Sequence, residues 1–297
     1  MSSPKRAIEI LVPYIIDGGT GKRTRLLARY LEKHLDRPVG VASRTGAVAG
    51  HTAIAAAPAD GHTLGMITGE IGMMHWHAGL TNLTWRSYTP LAVPYVEAAA
   101  VIVRADAPWQ TLDELLAAFR AGPLRGSGSP DFGVWKFALL GLLRTAGIAR
   151  DRLAWTPTVS GEEGIAKLMA GTVDVAPVPM VEAPELIIEG RIRPLATMDE
   201  RRHPLFPAVP TVLEAAGLDW QVAHWRGLVA PAGLVPAVRD DLIEALKRVA
   251  SDADFTAQCR ANGYTLGWRF GDDFADYMIE DDAQFGQVIR PDGAIQP

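Results

Sequence analysis

Apolar residues recur along the chain in two alternating patterns. Short continuous runs, AIEILVPYII from Ala7, PVGVAS from Pro38, TLGMIT from Thr63 and LAVPYVEAAAVIVR from Leu91, are bounded by turn residues and predict buried strands. Between the first two, Leu26, Leu27, Tyr30, Leu31 and Leu35 fall at helical spacing, with Arg25, Arg29, Glu32 and Lys33 covering the remaining face. A second helix is predicted at AGHTAIAAA from Ala49. Strands alternating with amphipathic helices predict a mostly parallel sheet with helices on its faces.

After Arg104 the pattern starts afresh. TLDELLAAFRAG opens with a capping box, Thr111 with Glu114, and stops at Gly122. A strand-like PLRGSGS, the helix VWKFALLGLLRTAGI, the strand LAWTP, the helix GEEGIAKLMAG, the strand TVDVAPV, the helix VEAPELIIEG and the strand RIRPLAT follow. This predicts a second α/β unit of similar size. The Pro-rich HPLFPAVPTVLEAAG then leads to WRGLVAPAGLVP and three terminal helices, near PAVRDDLIEALKRVAS, DADFTAQCRANG and GDDFADYMIEDDAQFGQVI.

Composition narrows the function. Of 297 residues, 48% are hydrophobic and 21% charged, which argues against disorder, and a net charge of -5 gives no reason to expect nucleic acid or an anionic membrane. The lone Cys259 cannot form an intrachain disulfide and reads as a small buried residue in AQCRANG. No apolar run approaches the ~20 residues of a membrane span. The start, MSSPKRAIEILVPY, lacks the apolar core of a signal peptide, which predicts either a cytoplasmic protein or a chain whose signal has been removed.

Candidate chemistry concentrates in two glycine-rich loops. In IDGGTGKRTR, Gly21-Lys22 is followed by Arg23 and preceded five positions back by Ile16, so a P-loop fails twice. The dinucleotide pattern fails at Thr24, where its third glycine belongs. Glycines ahead of a helix still let backbone N–H groups and the positive helix end meet an anion, carboxylate as well as phosphate; otherwise they merely turn strand into helix. GSGSPDFG, from Gly126 to Gly133, is a second loop of this kind, and neither Ser127 nor Ser129 fits the GxSxG elbow of a nucleophile. His75 and His77 share strand spacing but lack a third ligand nearby, so no metal site is expected. His51 and His62 read as loop residues, and the acidic pairs Asp240-Asp241, Asp272-Asp273 and Asp281-Asp282 as helix starts or solvated helical faces.

In order along the chain, Val12-Pro13-Tyr14 with its glycines, GAVAG from Gly46, DGHTL from Asp60, GTVD from Gly171, LAT from Leu195 with Arg201 or Arg202, PTVLEAAG from Pro210 and WRGLVAPAG from Trp225 resemble the solute-binding receptors of tripartite tricarboxylate transporters, the Bug-type periplasmic receptors. The resemblance implies a type II periplasmic-binding-protein fold, two α/β lobes joined by two crossover strands, with lobe one at residues 1–103, lobe two at 104–224 and a return to lobe one from 225 to 297. It implies a small carboxylate held by Tyr14, Gly18, Gly19, Thr20, Ser127, Gly128 and Ser129, with Thr68, Gly69 and Glu70 as a third wall, and no catalytic residue, cofactor or metal.

Departures from the family pattern bear on the ligand. Gly21 stands where the family usually has the Asp of GGTD, followed by Lys22 and Arg23; Lys136 or Trp135 replaces a usual His, and Thr158 a usual Tyr. We expect a monomeric periplasmic receptor that closes on a dicarboxylate or aromatic carboxylate and delivers it to membrane subunits. The competing reading is a signal-less cytoplasmic enzyme or sensor, with Glu70, His75 and His77 as its acid/base groups. The missing Asp predicts a ligand without an amine: in calorimetry, glutamate is not preferred over amine-free dicarboxylates.

Overall fold

The computed structural model describes residues 6–71, 79–131 and 133–289. The pair His75 and His77 lies outside the described residues. Among the described residues are eleven strands and ten α-helices: β1 Ile8–Val12, α1 Gly19–Leu35, β2 Val39–Ser43, α2 Ala47–Ala55, β3 Thr63–Thr68, β4 Tyr88–Ala98 and β5 Ala100–Arg104. There follow α3 Leu112–Ala121, β6 Leu124–Gly126, α4 Val134–Thr145, β7 Leu153–Trp155, α5 Gly161–Met169, β8 Ala176–Val178, α6 Pro184–Ile188, β9 Ile192–Thr197 and α7 Val212–Ala216. The chain ends with β10 Ala223–Pro231, α8 Pro236–Ala250, α9 Ala253–Ala261, β11 Leu266–Phe270 and α10 Asp272–Ile289.

These elements form two compact units. Of the described residues, one contains those up to Val96 and Trp225–Gly286; the other contains those of Glu97–His224 and those from Gln287 on. The sequence pattern restarts at Arg104, whereas the chain leaves the first unit inside β4.

The first unit is built on a six-stranded sheet in the order β11-β4-β10-β3-β1-β2. Side-chain alternation sorts its apolar runs onto two faces. Ile8, Ile10, Val12, Met66 and Leu228 join Leu27 and Leu31 of α1 and Leu246 of α8 in one cluster, while Leu11, Ile67 and Val229 join Ile54 of α2 and Phe274 and Met278 of α10 in another. A sheet covered on both faces explains why its strands read as unbroken hydrophobic runs. The second unit has a three-stranded sheet, β8-β5-β9, and the parallel pair β6-β7. Its core includes Val101, Phe119, Leu139 and Leu143.

Four expectations need correction. The six-stranded sheet is mixed and the three-stranded sheet antiparallel, rather than mostly parallel: β1 pairs in parallel with β2 and β3, but β10 with β3, β11 with β4, and β5 with both β8 and β9 are antiparallel. Strands returning from distant parts of the chain enter in the opposite sense, and sequence periodicity carries no direction. The run from Leu91 to Arg104 is two strands in two sheets. TLGWRF, between two terminal helices, is the edge strand β11, where Arg269 pairs across from Val93. His51 lies in α2, fully buried, with Nδ1 2.7 Å from the Ala47 carbonyl and its ring edge-on to Tyr14. The capping box at Thr111 and Glu114 is present.

Asp281 also departs from its expected solvated face. It is 8% exposed, and its carboxylate accepts a 3.0 Å hydrogen bond from Trp225 Nε1, whose ring meets Phe274 edge-on at 5.4 Å. Burial, aided by the neighbouring Asp282, pushes the Asp281 carboxyl up to about 7 from an ordinary 3.8, against the pull of the Trp225 bond. The folded protein therefore keeps a proton that the unfolded chain releases above about pH 4, so stability falls as pH rises from about 4 to about 7 and is level beyond. Asp281→Asn, which can still accept from Trp225, is expected to raise stability at pH 8 by a few kcal/mol, since each tenfold difference in proton affinity between the folded and unfolded chain is worth about 1.4 kcal/mol, and to change it little near pH 4. Urea unfolding at the two pH values measures this.

Candidate functional site

In the first unit the carboxyl ends of β1 and β3 point at the head of α1, the place where α/β sheets bind ligands. That head lacks the usual stabilisers. Gly18, the N-cap, has no side chain to cap with, and no acidic residue lies in the first turn. The N–H groups of Gly19, Thr20 and Gly21 therefore project the positive end of a 17-residue helix with neither a side-chain cap nor a first-turn carboxylate from α1 itself.

A second positive charge is buried there. Arg226, 7% exposed on β10, stands directly opposite Thr68 of β3 in antiparallel register, and its Nε donates to Thr20 Oγ1 at 3.2 Å. Tyr14, just beyond β1, donates to Glu70 Oε2 at 2.6 Å, and its hydroxyl lies 2.8 Å from Thr68 Oγ1. Because Tyr14 has one hydrogen and gives it to Glu70, Thr68 is the donor in the second bond. Burial raises the Glu70 carboxyl above its ordinary range, while Tyr14's hydrogen bond and the Arg226 charge oppose the rise. Burial first, and then the charge of Glu70, hold the Tyr14 phenol far above its ordinary value, so it remains a donor.

Two glycines of this region answer to packing. A Cβ on Gly21 would lie 2.0 Å from the Ile16 carbonyl oxygen, which itself accepts from Arg25 at 2.8 Å while Arg25 pairs with Asp17 at 3.2 Å. The strapped loop leaves no room for a side chain, so the missing Asp has a steric cause. A Cβ on Gly69 would meet Asp281 Oδ2 at 2.8 Å and Trp225 Nε1 at 3.1 Å. Thr68 and Glu70 thus face Tyr14, while Gly69 faces α10. Of the two cations, Lys22 is exposed, whereas Arg23 folds back to the Gly19 carbonyl and over the Tyr264 ring at 4.2 Å.

The second unit holds the serine-rich loop between β6 and α4. Ser127, Gly128, Ser129 and Thr158 are buried. Ser127 Oγ donates to the Thr156 carbonyl at 2.7 Å, Ser129 Oγ to that of Pro130 at 3.1 Å and Thr158 Oγ1 to that of Ser160 at 3.1 Å. Each hydroxyl thus commits its one hydrogen to the loops themselves. Ser129 Oγ also accepts from the Lys136 N–H at 3.3 Å, in the first turn of α4, and Trp155 Nε1 and the Thr158 N–H both donate to the Ser129 carbonyl. Lys136 Nζ is paired with Asp131 at 2.8 Å.

The structure thus gathers Tyr14, Gly18, Gly19, Thr20, Thr68 and Glu70 around one helix head, and Ser127, Gly128, Ser129, Lys136 and Thr158 around another loop of the second unit. Arg226 was missed by the sequence reading. Its signal was a charged residue inside the otherwise apolar strand WRGLVA, which a buried strand admits only for a purpose. Among the described residues no cluster of His, Cys, Asp and Glu could hold a metal, and no helix is long and apolar enough to cross a membrane.

Alternating sheet and helix in two units, entered by strands that pass from one to the other, define a type II two-lobed binding protein. Residues 24–293 match the model of the tripartite tricarboxylate transporter family receptor, and the chain belongs to that family. It is 26% identical to the protein BugT of Bordetella pertussis over 98% of this chain and 90% of that one. A TctC solute-binding protein from Polaromonas superposes with a TM-score of 0.86 at 26% identity, covering 98% of this chain and 100% of its own. MatC of Rhodopseudomonas palustris, with bound malate, superposes at 0.78 and 23% identity, covering 97% and 100%. The family consists of solute-binding receptors, not enzymes, and its receptors are periplasmic.

Because Ile16 closes on α1, Gly21→Ala is expected to destabilise the protein by about 1–3 kcal/mol despite the better helix propensity of alanine, worth ~1 kcal/mol. Chemical unfolding measures the change.

Proposed function

We propose that this receptor captures a small organic carboxylate, a dicarboxylate or an aromatic acid, by hinge closure in the periplasm and delivers it as a monomer to the membrane subunits of a tripartite tricarboxylate transporter. The observation that carries this reading is the head of α1, without a side-chain cap or an acidic first turn, beside the buried Arg226 that donates to Thr20. A carboxylate can accept from the N–H groups of an uncapped helix head and from a guanidinium at once. Malate bound to the related fold of MatC supports the substrate class.

Tyr14, Gly18, Gly19, Thr20, Thr68, Gly69 and Glu70 would form one ligand-facing wall and Ser127, Gly128, Ser129, Lys136 and Thr158 the other. With its hydroxyl hydrogens committed internally, the second wall would offer mainly backbone N–H groups. Gly21 and Lys22 contribute the helix backbone and a peripheral charge.

A thermal-shift panel of adipate, malate, benzoate and glutamate tests the reading, with a rise of several degrees expected for an amine-free acid. Arg226→Gln, checked for folding by circular dichroism, is expected to weaken that acid roughly ten- to a hundredfold, the value of a charge-assisted hydrogen bond. Equal affinity in the variant would remove the site from the head of α1.

A further inference from the structure

From the contacts of Glu70, we infer that this residue is the built-in counter-ion of the α1 site and that carboxylate capture there proceeds with uptake of one proton by Glu70, which selects ammonium-free acids. The inference rests on the carboxylate-receptor reading and deepens it. The half-buried Glu70 shares one cluster with Tyr14, Thr68 and Arg226. An incoming carboxylate would bring a second negative charge into that cluster, where two ionised carboxylates repel strongly.

The hydrogen-bonded chain can accommodate the proton. With Glu70 ionised, Thr68 donates to Tyr14 and Tyr14 to Glu70. With Glu70 protonated, its hydroxyl can donate to Tyr14 and the Tyr14 hydrogen turns to Thr68 Oγ1, so both bonds survive with reversed direction and the Thr68 hydrogen is released from Tyr14. Among the described residues the groups facing the cluster include Tyr14 from the loop after β1, Thr20 from α1, the ring of His51 from α2 against Tyr14, Arg226 from β10 and, towards Arg226, Tyr95 from β4. Asp281 of α10 lies on the Gly69 side. Glu70 is already raised by burial, and only Tyr14 and Arg226 hold it down. A ligand carboxylate that engages Arg226 would weaken that restraint and raise Glu70 further.

A group whose affinity for protons rises on binding makes binding tighter as pH falls, by at most about tenfold per pH unit for one proton. A ligand ammonium paired with ionised Glu70 would do the reverse, because lowering the pH would neutralise its partner.

The test is titration calorimetry between about pH 5 and about pH 8, in buffers of different ionisation heat, with whichever of adipate, malate, benzoate or glutamate gives the largest thermal shift. Net proton uptake approaching one, with affinity rising as pH falls, is expected for an amine-free acid. In Glu70→Gln the uptake is expected to vanish and the pH slope to flatten, whatever the absolute affinity. Tyr14→Phe removes a bond that favours ionised Glu70, so its uptake window should move to higher pH; it serves as the second variant should Glu70→Gln misfold. Capture of an amine-free acid without proton exchange, a slope retained in Glu70→Gln, or glutamate as the preferred member would overturn the inference while leaving the receptor reading intact. Failure of all four acids to bind would instead remove the receptor reading, and this inference with it.

Discussion

The structure of the first unit turns on one electrostatic constraint: a guanidinium is buried beside the positive end of a helix. Neither partner neutralises the other. Removing an ion from water costs several kcal/mol, and the arrangement persists only with a compensating negative group within reach. Glu70 feels that charge: its carboxyl is raised by its own burial yet held back by Tyr14 and Arg226.

Arg226 is held in place by its neighbours in the strand. Trp225, one residue earlier, faces the opposite side of the sheet, where Phe274 and the Asp281 carboxylate of α10 fix its ring. Alternation along β10 then directs Arg226 to the face of Thr20. Gly69, in turn, is small because Trp225 and Asp281 occupy the space a side chain would need. The C-terminal helix is thereby tied to the site through a single strand, although none of its residues belongs to the site.

The glycine-rich loops read differently once their surroundings are known. In sequence, Gly21 stood out as a lost carboxylate; in the fold it marks the place where the Ile16 carbonyl presses on α1. Ser127 and Ser129 suggested hydroxyls waiting for a ligand, yet both spend their hydrogens on loop carbonyls and act first as architecture. Lys136, which with Trp135 stood where the family usually has a His, is paired with Asp131. Short-range pattern reports which residues are near one another in the chain, and says nothing of what a neighbouring loop has already claimed.

Much of the architecture was nevertheless legible from the chain alone. Continuous apolar runs and 3.6-residue spacing located the buried strands and the long helices, and the capping box at Thr111 placed the start of α3, because these are decided within a few residues. The restart after Arg104 revealed two units. What the sequence could not determine were strand directions, the edge strand β11, the burial of His51 and Asp281, and the meeting of Arg226 with Thr20 across 206 residues. Those depend on which surfaces come together in space: local propensity fixes the elements, whereas the charge balance of the site arises only when strands far apart in the chain are laid side by side.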